Sequence, residues 1–219
     1  MYRRVNHDFF KKWNPEMAYI LGFFAADGNL TMGKRKNYYV EFTSCDRVIL
    51  EKIKHTLNSD HKISERTNRN HNWRDTYRLQ IGSKTMFQSL NNFGFVPKKS
   101  KRLAYPQIPN KYFPDFLRGY FDGDGHVTTG SYKKTGRNYK TKIIFSGFTC
   151  GTKTFLQNIH RELLRRGTVR GGTLYYQKGF RLNFSINDSL SLYNLLYKDT
   201  RNNLYLSRKK KVFKKFFNR

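Results

Sequence analysis

Ile20-Leu-Gly-Phe-Phe-Ala-Ala-Asp-Gly28 recurs in the same chain as Leu117-Arg-Gly-Tyr-Phe-Asp-Gly-Asp-Gly125. Each copy has a glycine, two aromatic residues, then a small residue ahead of Asp-Gly. The offset is 97 (124 − 27). The likeness continues downstream. Phe42-Thr43 matches Phe148-Thr149, and Leu50–Ile53 matches Leu156–Ile159, both at offset 106. Tyr77–Gln80 matches Phe180–Asn183 at 103, and Lys98-Lys99 matches Arg208-Lys209 at 110. The order is kept while the offsets drift, as loop insertions produce. The step from 97 to 106 places nine extra residues near Thr129–Lys142. The chain is therefore read as an internal duplication.

Each copy predicts helix, two strands, helix, two strands, helix. Asn14 caps a helix that carries Pro15 at its first position and ends before Gly28. Pro114 plays the same part ahead of Gly125. Strand-like runs follow at Asn37–Ser44 and Lys140–Thr149. Asp46 caps a helix with an apolar stripe of Ile49, Leu50, Ile53 and Leu57. Its counterpart carries Phe155, Leu156, Ile159 and Leu163 and closes at Gly167. A second strand pair spans Lys62–Ile81 and Thr168–Ile186, followed by helices over Ser83–Phe93 and Asp188–Tyr197. The domains are thus residues 1–104 and 114–219. Residues 105–113, with Pro106 and Pro109, form a stiff linker. The tail Arg208–Lys215, with Phe213, Phe216 and Phe217, reads as a basic amphipathic helix that packs its aromatic rings.

The repeated helices hold the chemistry. Gly22 and Gly119 each cost a helix interior about 1 kcal/mol against alanine. A penalty incurred twice calls for close approach of two backbones, and the small residues Ala18, Ala25, Ala26 and Gly123 favour it. Asp27 and Asp124 end the two helices, at the negative end of each macrodipole, where a carboxylate is disfavoured. Two such carboxylates brought together raise one pKa or recruit a cation. With phosphate nearby, oxygen ligands suit Mg²⁺.

The chain of 219 residues carries 43 Lys+Arg against 15 Asp+Glu, a net charge of +28. Such an excess costs stability by self-repulsion and points to a polyanionic partner, nucleic acid before a membrane surface. An aromatic content of 16% argues against a disordered basic tail. No run reaches transmembrane length. The charged N-terminus lacks the apolar stretch of a secretory signal, so an intracellular setting is expected. Cys45 and Cys150 are too few for a disulfide framework or a four-ligand zinc site, and both are expected to be buried thiols.

The two nine-residue segments resemble the LAGLIDADG motif, and from about residue 15 to 215 the chain is similar to single-chain, two-repeat LAGLIDADG homing endonucleases. The resemblance implies an α+β fold of two pseudo-symmetric αββαββα repeats. The motif helices would lie at the interface, and the antiparallel sheets would form a DNA-binding saddle. It implies a DNA endonuclease that hydrolyses phosphodiester bonds on both strands. It assigns metal binding to Asp27 and Asp124 and to the carbonyls of Ala26 and Gly123. Two or three Mg²⁺ ions are implied, with Mn²⁺ substituting and Ca²⁺ supporting binding without cleavage. Lys99 and Lys209 fall on the basic positions beside the cut phosphates, with Lys98 and Arg208 as alternatives. Glu41 falls on a water-orienting position that Gly147 occupies in the second repeat, so unequal cutting of the two strands is expected. Ala25 replaces an acidic motif residue that Asp122 keeps, at a position that is not usually a metal ligand.

Strand alternation puts Tyr38, Val40 and Phe42 on a core face and Tyr39, Glu41 and Thr43 on the other. The hairpin tips are basic: Lys34, Arg35 and Lys36; Arg66, Arg69 and Arg74; Lys133, Lys134, Arg137 and Lys140; and Lys178. Asn68, Asn70 and Asn72 interleave with them. Arg78, Gln80, Arg181 and Asn183 occupy matched strand positions. Arginine and asparagine suit bidentate contacts to guanine and adenine. The expected partner is double-stranded DNA, an asymmetric target of about 20 base pairs bound by a monomer, one half-site per repeat. The setting would be wherever the target genome lies: bacterial or phage cytoplasm, or an organelle. An RNA maturase on the same fold and a catalytically decayed DNA-binding protein are the alternatives. No splicing block flanks the repeats, which speaks against an embedded intein.

Overall fold

The computed structural model describes residues 3–33, 37–67, 75–97, 102–133, 135–136, 138–198, 200 and 202–217. The first repeat runs α1 (Pro15–Asp27), β1 (Gly28–Met32), β2 (Tyr38–Ser44), α2 (Arg47–Thr56), β3 (Ile63–Arg66), β4 (Thr76–Gly82) and α3 (Lys84–Asn92). The second runs α4 (Phe113–Asp124), β5 (Gly125–Lys133), β6 (Lys140–Cys150), α5 (Lys153–Arg165), β7 (Thr173–Tyr176), β8 (Phe180–Phe184) and α6 (Ile186–Tyr197), and α7 (Ser207–Phe217) follows. Each repeat forms one antiparallel four-stranded sheet, with orders β1-β2-β4-β3 and β5-β6-β8-β7.

Local chemistry sets these elements. Asn14 accepts from the Met17 amide at 2.7 Å, with Pro15 opening α1. Asp46 accepts from Val48 at the start of α2, and Ser83 from Met86 at the start of α3. The stripes of α2 and α5 are fully buried. Gly94 and Gly167 take positive φ, as the chain turns after α3 and α5 require. The motif helices end on Asp27 and Asp124 as expected, whereas α4 starts at Phe113 so that Pro114 is second, and Ile186 opens α6 instead of ending a strand.

Strand register verifies the duplication independently. Glu41 lies between Asn29 and Gln80, and Gly147 lies between His126 and Asn183. These pairs reproduce the offsets 106, 97 and 103 read from sequence. Gly28 pairs with Phe42 and Gly125 with Phe148, separations of 14 and 23 residues, so the nine-residue insertion lengthens the β5–β6 hairpin.

By packing, the chain divides into two compact units, Met1–Gly123 with Arg201–Tyr205, and Asp124–Thr200 with Leu206–Arg219. The division falls at the end of α4, because α4 packs on α1 within the first unit. In that unit Leu30, Val40, Phe42, Leu79 and Ile81 line the covered face of the sheet. In the second, Ile144, Phe148, Leu182 and Phe184 do so, and Ser146 donates to Ser189 of α6 at 2.8 Å. Phe213 is buried, as expected of the tail helix. Cys150 is buried, but Cys45 is exposed, because it sits in the turn between β2 and α2.

Candidate active site and nucleic-acid interface

The helices α1 and α4 touch backbone to backbone. A Cβ on Gly22 would stand 1.9 Å from the carbonyl oxygen of Phe116 and 2.9 Å from the nitrogen of Tyr120. A Cβ on Gly119 would stand 1.9 Å from the carbonyl oxygen of Tyr19 and 2.8 Å from the nitrogen of Phe23. Adding 97 to 19, 22 and 23 gives 116, 119 and 120, so the two contacts are the same contact seen from either repeat. This is why both glycines stand mid-helix. Tyr19 donates to Asp122 Oδ2 at 2.8 Å, both residues buried. Arg118 lies over the Tyr19 ring and pairs with Asp115 at 2.7 Å. The acidic motif residue kept only in the second repeat therefore holds the helices together.

Asp27 ends α1 half-buried. A Cβ on Gly123 would meet Ala26 and come within 3.2 Å of Asp27 Oδ2. The absence of a side chain at Gly123 thus lets Ala26 and the Asp27 carboxylate pack directly against the end of α4. The donors here are a carboxylate and backbone carbonyls, the set that Mg²⁺ takes together with water and phosphate oxygens. Among the described residues no three His, Cys, Asp or Glu side chains cluster as a cage. Asp124 ends α4, and the strand that starts behind it is held by Lys209. The Lys209 side chain is buried and its Nζ donates to the Gly125 carbonyl at 2.6 Å. Arg208 is exposed, so of the two candidates only Lys209 turns inward toward the motif.

Helices cover one face of each sheet, and register sorts the remaining candidates. In the first unit the open face carries Tyr39, Glu41, Arg66, Arg78 and Gln80. Glu41 accepts from Gln80 Nε2 and from Asn29 Nδ2 at 3.5 Å, with Arg78 3.8 Å away. A groove of about 380 Å³ on this face is lined by Tyr39, Ser64, Arg78 and Gln80, among others. In the second unit the open face carries Arg181 and Asn183, with Gly147 in Glu41's place. A Cβ on Gly147 would stand 2.1 Å from the Leu182 carbonyl oxygen, so no larger residue fits there. His126 Nε2 and Asn183 Oδ1 lie 2.9 Å apart, and Asn183 Nδ2 donates to the Tyr175 hydroxyl. That orientation puts the imidazole proton on Nε2 and leaves Nδ1 as an acceptor. Burial pushes the His126 pKa down against the opposing Asn183 hydrogen bond, with Arg181 and Lys209 adding to the depression. Arg181 Nε is buried without a hydrogen-bond partner.

Lys133 and Lys140 stand directly opposite each other, both exposed, at the open end of the β5–β6 hairpin. Like charges so placed repel, a cost that an anion relieves. Lys178 is exposed in the β7–β8 turn at φ 54°. Lys34, Arg35, Lys36, Asn68, Arg69, Asn70, Asn72, Arg74, Lys98, Lys99, Lys134 and Arg137 lie outside the described residues. Sequence reasoning missed Asn29, His126 and Tyr175, which complete the polar clusters around Glu41 and Gly147. The signal was available for the first two, since each directly follows an Asp-Gly.

Comparison with known proteins agrees with this architecture. A family model described as a LAGLIDADG-like domain matches residues 14–92. An uncharacterised protein of Methanocaldococcus jannaschii is 25% identical over 176 residues, covering 76% of this chain and 60% of that protein. A DNA-directed RNA polymerase subunit of the same organism is 29% identical over 117 residues, covering 53% of this chain and 13% of the subunit. The chain thus spans less than two thirds of the curated relatives it matches. Among solved structures, the LAGLIDADG meganuclease I-AabMI bound to uncleaved DNA superposes with a TM-score of 0.61 at 17% identity, covering 91% of this chain and 87% of that one. The homing endonuclease I-WcaI bound to its DNA recognition sequence gives 0.59 at 19%, covering 93% and 89%. The meganuclease I-SmaMI bound to uncleaveable DNA gives 0.64 at 12%, covering 92% and 87%. A LAGLIDADG-like domain occupies residues 14–92 of this chain, and the chain as a whole has the fold of the LAGLIDADG meganucleases.

Proposed function

We propose that this protein is a site-specific DNA endonuclease that cuts both strands of a long asymmetric duplex with divalent metal. The observation that carries the reading is the reciprocal glycine contact of α1 and α4, two helices whose last residues are Asp27 and Asp124. A carboxylate at a helix C-terminus opposes the helix dipole, and the chain carries that cost twice. This repetition in a chain of charge +28 is accounted for by phosphate and cation. Residues 1–104 and 114–219 are assigned one half-site each, joined by residues 105–113.

Asp27 and Asp124, with the carbonyls of Ala26 and Gly123, would hold the metal ions. When bound, Mg²⁺ neutralises phosphate charge and acidifies water. The chain's own residues do the rest. Lys209, and Lys99 in the other repeat, stabilise charge developing on the phosphate oxygens. Glu41, fixed by Gln80 and Asn29, orients water in the first half, and the neutral His126 offers Nδ1 as an acceptor beside Gly147 in the second. The open sheet faces, with Arg66, Arg78, Arg181 and the hairpin lysines, follow the duplex. The protein works as a monomer in whichever intracellular compartment holds its target.

Selection of cleaved duplexes from a random library with Mg²⁺ tests this directly. The expected result is one asymmetric site of about 20 base pairs, two half-sites of roughly one helical turn each. Specific binding without cutting in Mg²⁺ or Mn²⁺ would assign a decayed nuclease. Preference for folded RNA over any duplex would assign a maturase.

A further inference from the structure

The two open sheet faces differ in kind. That of the first unit is polar throughout, with Asn29, Glu41, Arg78 and Gln80 at its centre. In the second unit His126, Gly147, Arg181 and Asn183 take those places, and an apolar strip lies beside them, farther out along the β5–β6 hairpin. Phe145 is 43% exposed and Tyr132 49% exposed. Alternation along β6 puts Ile143, Phe145 and Gly147 on the face opposite the buried Ile144, Ser146 and Phe148. Thr128 pairs with Phe145, and Ile143 lies along Gly130, its Cγ1 3.6 Å from where a Cβ there would be. The result is an exposed strip on the open face, while Lys140, Lys142 and Lys133 alternate to the other face of the hairpin. Register identifies Phe145 as the counterpart of Tyr39: Tyr39 pairs with Thr31 and Phe145 with Thr128. The same place thus carries a hydroxyl in one repeat and none in the other.

We propose that Phe145, with Ile143 and Thr128 beside it, determines specificity by covering thymine 5-methyl groups in the half-site of the second repeat, where Tyr39 meets a polar base edge in the first. The proposal rests on the reading of the chain as a DNA-binding nuclease. Every major-groove base edge presents hydrogen-bonding atoms, and the single apolar group among them is the thymine methyl. A phenyl ring against an amino or carbonyl edge would desolvate it without replacing its hydrogen bond. Against a methyl it loses nothing. Residues two apart on a strand are about 7 Å apart, close to two base steps, so Ile143 and Phe145 cover methyls two positions apart in one stretch. Phe145 lies two residues from Gly147, so this stretch adjoins the centre of the site.

The experiment uses the full chain and its selected target. Each thymine is replaced singly by deoxyuridine, which removes the methyl and leaves every hydrogen-bonding atom, and binding is titrated in Ca²⁺. At one or more thymines of one half-site, loss of the methyl should weaken binding about fourfold, the effect of uncovering one methylene-sized group. Phe145→Ala should abolish that penalty at the same thymine, and cytosine methylated at C5 should be accepted there better than cytosine. Because Phe145 is exposed, the variant's melting temperature should be unchanged. Phe145→Tyr should retain the methyl effect and broaden the base choice. Three results would overturn the proposal: a selected site without thymine there, deoxyuridine without effect at every position, or a penalty that persists in Phe145→Ala. A wild-type dimer in solution that Phe145→Ala dissociates would also overturn it, by assigning the strip to a second copy. Failure of the underlying nuclease reading looks different: no duplex is selected at all.

Discussion

Gly22→Ala is the sharpest perturbation of the helix pair, because its expected sign is opposite to the usual one. In an ordinary helix interior the change stabilises by about 1 kcal/mol. Here the new Cβ would lie 1.9 Å from the Phe116 carbonyl oxygen. Real Cβ contacts essentially never fall below 3.0 Å, so the helices must part by at least 1.1 Å (3.0 − 1.9). No rotamer change relieves the clash, since both partners are backbone. Overpacking of a tight core costs about 1–3 kcal/mol, and a backbone clash belongs at the upper end or beyond. With the propensity gain subtracted, a net loss of about 2 kcal/mol remains, or roughly 4–8 °C in Tm for a chain this long. Gly119→Ala should behave alike, because its Cβ would meet the Tyr19 carbonyl oxygen at the same 1.9 Å. The separation that admits one methyl admits the other. The double variant should therefore lose clearly less than the sum of the two single losses. Urea denaturation of the three variants measures all of this. A Gly22→Ala protein more stable than wild type would refute the close approach of α1 and α4, and strict additivity would refute the shared separation.

Four further outcomes follow from the same geometry. Asp27→Asn or Asp124→Asn should abolish double-strand cleavage while leaving duplex binding in Ca²⁺ within a few-fold, and full plasmid linearisation by either variant would remove the metal assignment. Lys209→Met should slow cleavage about 10²-fold or more without altering the selected site, which single-turnover rates and a repeat selection check. Binding should fall steeply with salt: neutralising about 8 phosphates gives a log–log slope near −7, and a flat response would separate the +28 charge from DNA binding. Burial, reinforced by Arg3, pushes the His61 pKa down, so the unfolded chain binds the extra proton below the ordinary imidazole pKa. Stability should be complete above about pH 6.5 and fall on acidification, and the pH dependence of the urea midpoint should flatten in His61→Gln.

What was legible in the sequence depended on whether a residue's role was local or repeated. Asn14, Asp46 and Ser83 act within their own turns, so caps and helix starts could be read directly. Gly22 and Gly119 act across the fold, yet duplication exposed them: a helix-breaking choice made twice at one offset has a common cause. The same arithmetic paired Glu41 with Gly147 before any register was known, and the strands then placed them beside the matched Gln80 and Asn183. Where a role belongs to one repeat only, that device fails. His126 holds Asn29's place after Asp-Gly but differs from it in type, and its hydrogen bond to Asn183 spans 57 residues. Cys45 and Cys150 looked equivalent by offset, but β2 ends one residue before Cys45 while β6 includes Cys150, and one thiol is exposed while the other is buried. Phe145 belongs to the same class. Alternation alone would assign an aromatic residue between Ile144 and Ser146 to either face, and only the burial of Ile144 and the Ser146–Ser189 hydrogen bond turn it outward. The repeats thus agree in topology, register and the reciprocal glycine contact, and they diverge most on the open sheet faces. For a nuclease of the proposed kind, divergence on those faces is what an asymmetric target requires of a duplicated chain, since unlike surfaces are needed to read unlike half-sites.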